Sequence, residues 1–222
     1  MKANRAACVD RSSSGLDPAM RTLAYAVLAR GFSYPDADVI EFFRKFSDAD
    51  TDAKGHSWAE ILAVIESARS ADPDALRSAY LGVFDPVAGP FPYESEHKKF
   101  ADEFGKAHHM ADLMGFYRAF GVQPARERPD HIAAELEYMH YLTVKEAHAQ
   151  EKGEGEHASV CREAQEKFLR DHLTTWTDSL LERMDAKADG EDAPRDPKAG
   201  LLYRRLADLL RRLMNSEKEA LK

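Results

Sequence analysis

Residues 130–150 read DHIAAELEYMHYLTVKEAHAQ, and this stretch decides the fold class. Apolar side chains recur in it at spacings of three and four residues, beginning with Ile132 and Leu136, which is the pattern of one face of an α-helix. Pro129 precedes the stretch and favours the backbone geometry of a first helical turn. Asp130 would lie in that turn, where its charge complements the exposed amide groups. We therefore predict a long helix with one face in a core.

The same periodicity extends over most of the chain. Further helices are predicted to begin near residues 18, 35, 58, 73, 95, 158 and 201, and the first of them is predicted to end at Gly31. Two proline-containing segments, DPVAGPFPY at 85–93 and GVQPARERP at 121–129, interrupt the helical pattern. No run alternates apolar and polar residues at the spacing of a β-hairpin. The sequence therefore predicts an all-α fold with a single helical-bundle domain.

Composition divides the chain into four segments. Residues 1–15 contain little to bury and are predicted to be a disordered tail. Residues 16–184 are predicted to form the helical domain, and residues 185–200 a linker without periodicity. Residues 201–222 are predicted to form a C-terminal amphipathic helix with a leucine-rich face. The total of 222 residues suits one domain.

Charge and composition exclude several classes of partner. The formal net charge is -8, from 31 Lys+Arg against 39 Asp+Glu, so we expect no nucleic-acid partner and favour a basic peptide. No apolar run is long enough for a membrane span, and the N-terminus lacks the apolar region of a signal peptide. The two cysteines form no CxxC pair, which fits a reducing compartment. We therefore expect a cytoplasmic protein without membrane insertion.

Catalytic and metal-binding motifs are weak in this sequence. We find no nucleotide-binding loop, nucleophile elbow or HExxH motif, and we expect no enzyme and no cofactor. The pair Glu-x-x-His, which di-iron bundles use, occurs at Glu94/His97, Glu137/His140 and Glu154/His157. One pair lies in a glycine-containing loop and one follows a proline-rich break, so we expect no metal site. A helical-bundle metal protein remains the alternative.

Two residues at the start of the long helix could form a binding surface. His131 and Glu135 are four residues apart, so their side chains would meet on one face, and Tyr138 would extend that face. The spacing alone is also typical of a well-capped structural helix with an incidental His–Glu pair. Spacing therefore leaves both interpretations open.

Five short motifs occur in the order of a known family. The first is LAR at 28–30 followed by YPD at 34–36. The others are YLGVF at 80–84, GPFPYES at 89–95, PDHIAAELEYM at 129–139 and FLRDHLTTW at 168–176. Together they resemble the TorD/DmsD/NarJ family of molybdoenzyme chaperones over about residues 20–185. The chain departs from that pattern at Tyr93, where several relatives carry tryptophan, and at Glu96-His97.

The resemblance implies a cytoplasmic chaperone with a TorD-like helical domain. Such proteins bind the N-terminal leader, usually a twin-arginine leader, and the apo-form of a molybdopterin-containing oxidoreductase. They assist cofactor insertion and delay export until maturation. The peptide-binding residues that the resemblance implies are Phe91, Pro92, Tyr93, Glu94 and Ser95 in the proline-rich loop and Pro129, Asp130, His131 and Glu135 at the helix start.

We expect the loop and the helix start to meet and form one groove. Tyr93 would cover the apolar part of the bound segment, and Glu94, Asp130 and Glu135 would contact its basic residues. A permanent helical subunit or scaffold, packed on a partner through the leucine-rich last helix, is a second alternative. The protein could be a monomer or a domain-swapped dimer.

Overall fold

A computed structural model describes residues 17–46, 58–85, 87, 89–100, 103–125, 127–188 and 196–222. Within these ranges the chain forms nine α-helices and, apart from one isolated bridge, no β-structure. The predicted all-α fold class is confirmed. The predicted tail at residues 1–15 lies outside the described residues.

Most of the described chain is helical. In chain order the helices are α1 (Pro18–Phe32), α2 (Ala37–Arg44), α3 (Ala59–Ser70), α4 (Pro73–Val83), α5 (Glu103–Ala119), α6 (Ile132–Glu151), α7 (Gly155–Phe168), α8 (Thr174–Ala188) and α9 (Pro197–Ala220). A 3-10 turn at Glu94–Glu96 lies in the proline-rich loop, and a π-helical turn at Leu169–Leu173 connects α7 to α8 without a break. The helix predicted from residue 95 begins only at Glu103.

Three helices begin with the same local signal. Asp17, Asp72 and Asp196 are each followed by proline at the first helical position. Each aspartate side chain accepts hydrogen bonds from amides of the first turn, such as the Ala19 and Met20 amides at 3.0 Å from Asp17 Oδ1. An aspartate cap accepts hydrogen bonds from first-turn amides that lack an intrahelical acceptor. Proline has no amide N–H, and at the first helical position an N–H group would have no intrahelical acceptor in any case.

The helices enclose one connected core. Helix α6 packs against α1 and α7, while α9 packs against α1, α3, α4 and α8. The leucine-rich face of α9 is buried in this core through Leu202, Leu206, Leu209, Leu210 and Leu213. This face of α9 is therefore part of the domain core, and these five leucines are not available to a scaffold partner. Among the described helices, none combines the length and the apolar character needed to cross a membrane.

Boundaries predicted for two further segments are wrong. Helix α1 continues through Gly31 to Phe32. The glycine is needed there because a Cβ atom would lie 2.3 Å from Leu206 Cδ2, so it marks a close approach of α1 and α9 rather than a helix end. The predicted linker at 185–200 is too long at both ends, since α8 reaches Ala188 and α9 begins at Pro197.

A buried ionic cluster fixes the end of α9 to the bundle. Glu217 is 3% exposed and accepts hydrogen bonds from the Arg21 guanidinium and, at 2.9 Å, from the Tyr25 hydroxyl. Arg21 also donates to Gln165 Oε1 at 2.6 Å. Helices α1, α7 and α9 thus share one set of polar contacts inside the protein.

We expect Glu217→Ala to lower the free energy of unfolding by roughly 3–5 kcal/mol, because Arg21 then loses the counter-charge in a nearly buried position. Urea denaturation measures the loss. Glu219→Ala on the same helix is the matched control, since Glu219 is 61% exposed and pairs with Lys222 at the surface. That variant should change stability by less than about 1 kcal/mol. Equal losses in the two variants would contradict a stabilising role of the cluster.

Candidate functional site

The proline-rich loop pairs directly with the start of α6. Tyr93 and His131 form an isolated antiparallel bridge. The Glu94 amide donates to the Asp130 carbonyl at 2.8 Å, and the Ile132 amide donates to the Pro92 carbonyl at 2.8 Å. The expected meeting of loop and helix therefore occurs, and backbone hydrogen bonds hold it.

Asp130 is buried beside this bridge. Its carboxylate accepts a forked pair of hydrogen bonds from Arg128, with Nε at 3.1 Å and a terminal nitrogen at 3.0 Å. It also accepts the Ser95 amide at 3.3 Å. The Arg128 guanidinium lies 4.3 Å from the centre of the Tyr93 ring, whose other neighbour is the His131 ring at 5.2 Å. A carboxylate, a guanidinium and an aromatic ring are thus stacked at the edge of the loop.

Helix α6 begins at Ile132, and His131 is its N-cap. The His131 Nδ1 accepts the Ala133 amide at 3.1 Å. Burial lowers the pKa of His131 to about 4, so its imidazole is neutral near pH 7 and Nδ1 is available as an acceptor. Asp130, which was predicted to lie in the first turn of the helix, therefore precedes the N-cap instead. Pro129 is not the first helical residue either, and its carbonyl accepts the Tyr117 hydroxyl at 2.6 Å.

Glu135 lies entirely inside the protein. Its Oε2 accepts the Trp176 indole N–H at 3.2 Å, while Oε1 has no hydrogen-bond partner. Burial raises the pKa of Glu135 well above its usual range, and the negative charges of Glu94 and Asp130 act in the same direction. Both effects favour the protonated, neutral form of the carboxyl group. It makes no pair with His131, because the imidazole caps the helix instead.

Glu94 is also fully buried, and it is charged. Its Oε1 lies 2.5 Å from Lys98 Nζ, and its Oε2 lies 2.8 Å from His109 Nε2 and 3.0 Å from His172 Nδ1. Burial alone would raise the pKa of this carboxyl, but the contacts from His109, His172 and Lys98 lower it to about 2. The interior therefore holds an ionised Glu94 close to a neutral Glu135.

Residues 47–182 match the family described as the nitrate reductase delta subunit. The chain belongs to this family. It is 30% identical over 201 residues to the perchlorate reductase assembly chaperone protein of Dechloromonas aromatica (strain RCB), covering 83% of this chain and 85% of that protein. It is 28% identical to the chlorate reductase assembly chaperone protein of Ideonella dechloratans and 26% identical to the selenate reductase assembly chaperone protein of Thauera selenatis. Both alignments cover 77% of this chain and 79% of the relative.

These findings confirm the resemblance to the TorD/DmsD/NarJ chaperones. The relatives are assembly chaperones by name, so the chain belongs to a family of chaperones and not of enzymes. The matched segment begins at residue 47 and ends at residue 182, and it contains both the proline-rich loop and the start of α6. The junction described above is therefore within the family domain.

Only part of the predicted peptide-binding set lies at the surface of this family member. Phe91, Tyr93 and Pro129 are partly exposed. Six others are buried, namely Pro92, Glu94, Ser95, Asp130, His131 and Glu135. The expected contacts of Glu94 and Glu135 with basic residues of a partner do not fit this arrangement, because both carboxyl groups face the interior.

Sequence reasoning did not find three residues of this region. Arg128 covers Asp130, while His109 and His172 contact Glu94. His172 is part of the late family motif, but that motif gave it no role. In the Glu-x-x-His match at Glu94/His97, the His97 ring contacts the Phe91 carbonyl at 2.8 Å and the Ser179 hydroxyl at 3.0 Å, whereas the Glu94 carboxylate contacts Lys98, His109 and His172.

A groove of about 470 Å³ lies beside the junction, between α1, α2 and the start of α6. Apolar and polar side chains line it in similar measure, and the polar ones are four carboxylates, two basic groups and one hydroxyl. The lining residues are Arg30, Ser33, Asp38, Glu41, Phe42, Lys45, Pro124, Ala125, Glu127, Ala133, Ala134 and Glu137. Glu127 connects the groove to the junction, since its Oε2 lies 3.8 Å from His131 Nε2. The groove therefore combines apolar surface with an excess of negative charge.

The neutral state of Glu135 can be tested by the pH dependence of stability. The folded protein keeps a proton on Glu135 that the unfolded chain releases above about pH 4.5, so this group lowers the free energy of unfolding as pH rises, by roughly 1 kcal/mol per pH unit. Glu135→Gln cannot ionise. Its stability relative to wild type should therefore increase from about pH 5 to about pH 8, as measured by urea denaturation.

Glu137→Gln serves as the control for this measurement, because Glu137 lies on the same helix with a side chain that is 57% exposed. Its stability difference from wild type should stay nearly constant over the same pH range. Parallel pH curves for wild type and Glu135→Gln would show that Glu135 is ionised in the folded protein.

Proposed function

We propose that this protein is an assembly chaperone for a molybdenum-containing reductase. In this proposal it acts in the cytoplasm and binds the N-terminal leader and the apo-form of the reductase. It assists cofactor insertion and delays export until the enzyme is mature. The observation that carries the proposal is the likeness to the perchlorate reductase assembly chaperone over 85% of the length of that protein.

The groove beside the junction supports the peptide-binding part of the proposal. A leader with a basic start and an apolar middle needs carboxylates next to apolar surface. Phe42 gives the groove apolar surface. Two of its carboxylates are ion-paired at the surface, Glu41 with Lys45 and Glu137 with Arg30. Such exposed ion pairs contribute little free energy, so arginines of a bound segment can compete for these carboxylates.

Arg128 occupies the position that a leader arginine would need. Its guanidinium forms a fork with the Asp130 carboxylate and stacks on Tyr93, which are the two contacts that recognise arginine best. The Arg128 side chain is 44% exposed, so rotation of its own bonds can remove it from the loop. In our proposal a leader arginine replaces Arg128 and takes over Asp130 and Tyr93.

This mechanism gives the buried carboxylates different roles. Asp130 is covered only by a side chain that can move, so it remains a contact for the bound segment. Glu94 and Glu135 lie deeper and act by shaping the loop and the helix start. Tyr93 contacts the segment directly, as the sequence predicted.

Binding of synthetic peptides tests the exchange. Wild-type protein should bind a peptide with two adjacent arginines and an apolar segment more tightly than the same peptide with two lysines, because lysine cannot form the fork or stack as well. Tyr93→Ala should weaken binding of the arginine peptide by about 1–3 kcal/mol and reduce the preference for arginine. Arg128→Gln should strengthen it, since the internal competitor is removed. Calorimetric titration measures all three.

Two glutamates provide a matched control for the groove. Glu137 and Glu66 have similarly exposed side chains, 57% and 53%, and each pairs with an arginine, but only Glu137 lines the groove. Glu137→Gln should weaken binding of the arginine peptide and flatten its salt dependence, whereas Glu66→Gln should not. Melting temperatures separate folding defects from binding defects. Identical affinities for the two variants would rule out the groove as the binding surface.

A gene deletion tests the cellular role. Without the chaperone, at least one molybdenum reductase should accumulate with a low molybdenum content and low activity, and a plasmid copy of the gene should restore both. Molybdenum is measured on the purified reductases by mass spectrometry. If every molybdenum enzyme of the deletion strain keeps its full cofactor content and activity, the proposed function is wrong.

A further inference from the structure

Glu94, His109 and His172 place three metal-ligating atoms close together in the interior. Their ligand atoms, Glu94 Oε2, His109 Nε2 and His172 Nδ1, lie within 4.8 Å of one another. Each comes from a different element: the 3-10 turn of the loop, helix α5 and the π-helical turn. We propose that this cluster binds one divalent transition-metal ion, and that Zn²⁺ fits its ligand set best. This proposal does not depend on the peptide-binding role.

The ligand set has the composition of a three-ligand zinc site. Two imidazole nitrogens and one carboxylate oxygen bind Zn²⁺ at about 2.0–2.1 Å and leave a fourth position for water. A tetrahedral ion with such bonds holds its ligand atoms about 3.3 Å apart. The distances from Glu94 Oε2 to His109 Nε2 and His172 Nδ1 are 2.8 and 3.0 Å, close to this spacing, and the two histidine nitrogens lie within 4.8 Å of each other.

The His109 nitrogen lacks a hydrogen bond although it is enclosed. The His109 side chain is 10% exposed, and its Nε2 is close to Glu94 Oε2 but has no hydrogen-bond partner. A buried polar atom without a partner is costly, and a metal ion would satisfy it. His109 Nε2 is therefore an enclosed nitrogen 2.8 Å from the carboxylate oxygen and without a hydrogen bond to it.

His172 has the outer contact that metal-binding histidines usually make. While its Nδ1 faces Glu94, its Nε2 lies 3.2 Å from Asp112 Oδ2. A carboxylate on the far nitrogen orients a ligating imidazole and increases its basicity. The π-helical turn that carries His172 is a geometry found often at functional sites.

Aromatic rings pack against one side of the cluster, and an exposed carboxylate contacts it from another side. Phe100 packs against the His109 ring, while Phe116 and Phe168 pack against the His172 ring, at centroid distances of 5.0–5.4 Å. On another side, Asp112 contacts His172 Nε2 and has a side chain that is 57% exposed, so the contacts of the cluster reach the protein surface there. The second oxygen of Glu94 pairs with Lys98, which leaves Oε2 for the ion.

Metal titration of the whole chain tests the site. The protein should carry no histidine tag and should contain Cys8→Ser to exclude binding by that thiol. We expect one equivalent of Zn²⁺ to bind and to raise the melting temperature, with weaker binding at low pH because ligating histidines must be neutral. Co²⁺ should give visible absorption bands that Zn²⁺ removes. A wild-type protein that binds neither ion stoichiometrically overturns the proposal.

Neighbouring histidines provide a matched pair of variants. His109→Ala should weaken Zn²⁺ binding at least about 100-fold, and Asp112→Asn about 10–100-fold, whereas His108→Ala should have no effect because His108 is exposed on the same helix. All titrations are run below the lowest melting temperature of the set. If His109→Ala and His108→Ala bind Zn²⁺ and shift the Co²⁺ spectrum equally, the cluster is a proton-linked structural contact and not a metal site.

Discussion

The start of α6 depends on hydrogen-bond acceptors that its own turn cannot supply. The first amides of any helix lack intrahelical partners, and burial excludes water as a substitute. Here the Ile132 amide uses the Pro92 carbonyl and the Ala133 amide uses His131 Nδ1. The loop is therefore part of the helix cap, and its position fixes which side chains face the interior.

That constraint brings three carboxyl groups into one region, and each of them has different contact partners. Asp130 is neutralised by Arg128 from outside, and Glu94 by Lys98 and histidines from within. Glu135 has only the Trp176 indole N–H, so it retains its proton. Three nearby negative charges would repel one another strongly in a low-dielectric interior, and a proton on Glu135 reduces that repulsion.

The sequence predicted the helices well because each depends on local spacing and on caps such as Asp17-Pro18. It also led to the prediction that the loop and the helix start meet, which the backbone pairing confirms. It did not reveal that Glu94 and Glu135 face inward, because periodicity does not show which surface a loop will cover. Nor could it bring His172 to Glu94, since the two are separated by 78 residues and meet through a π-helical turn that leaves no distinctive pattern.

Tyr93 and Glu94 show how one short loop serves two surfaces. Tyr93 has extended backbone angles, φ -121° and ψ 128°, so successive side chains point to opposite sides. Tyr93 therefore lies under Arg128 at the surface, while Glu94 lies among buried histidines. A change at Tyr93 alters the surface offered to a partner and leaves the interior charges balanced. A change at Glu94 instead leaves Lys98 and His172 without their carboxylate, so its effects on binding would follow from a displaced loop rather than from a lost contact.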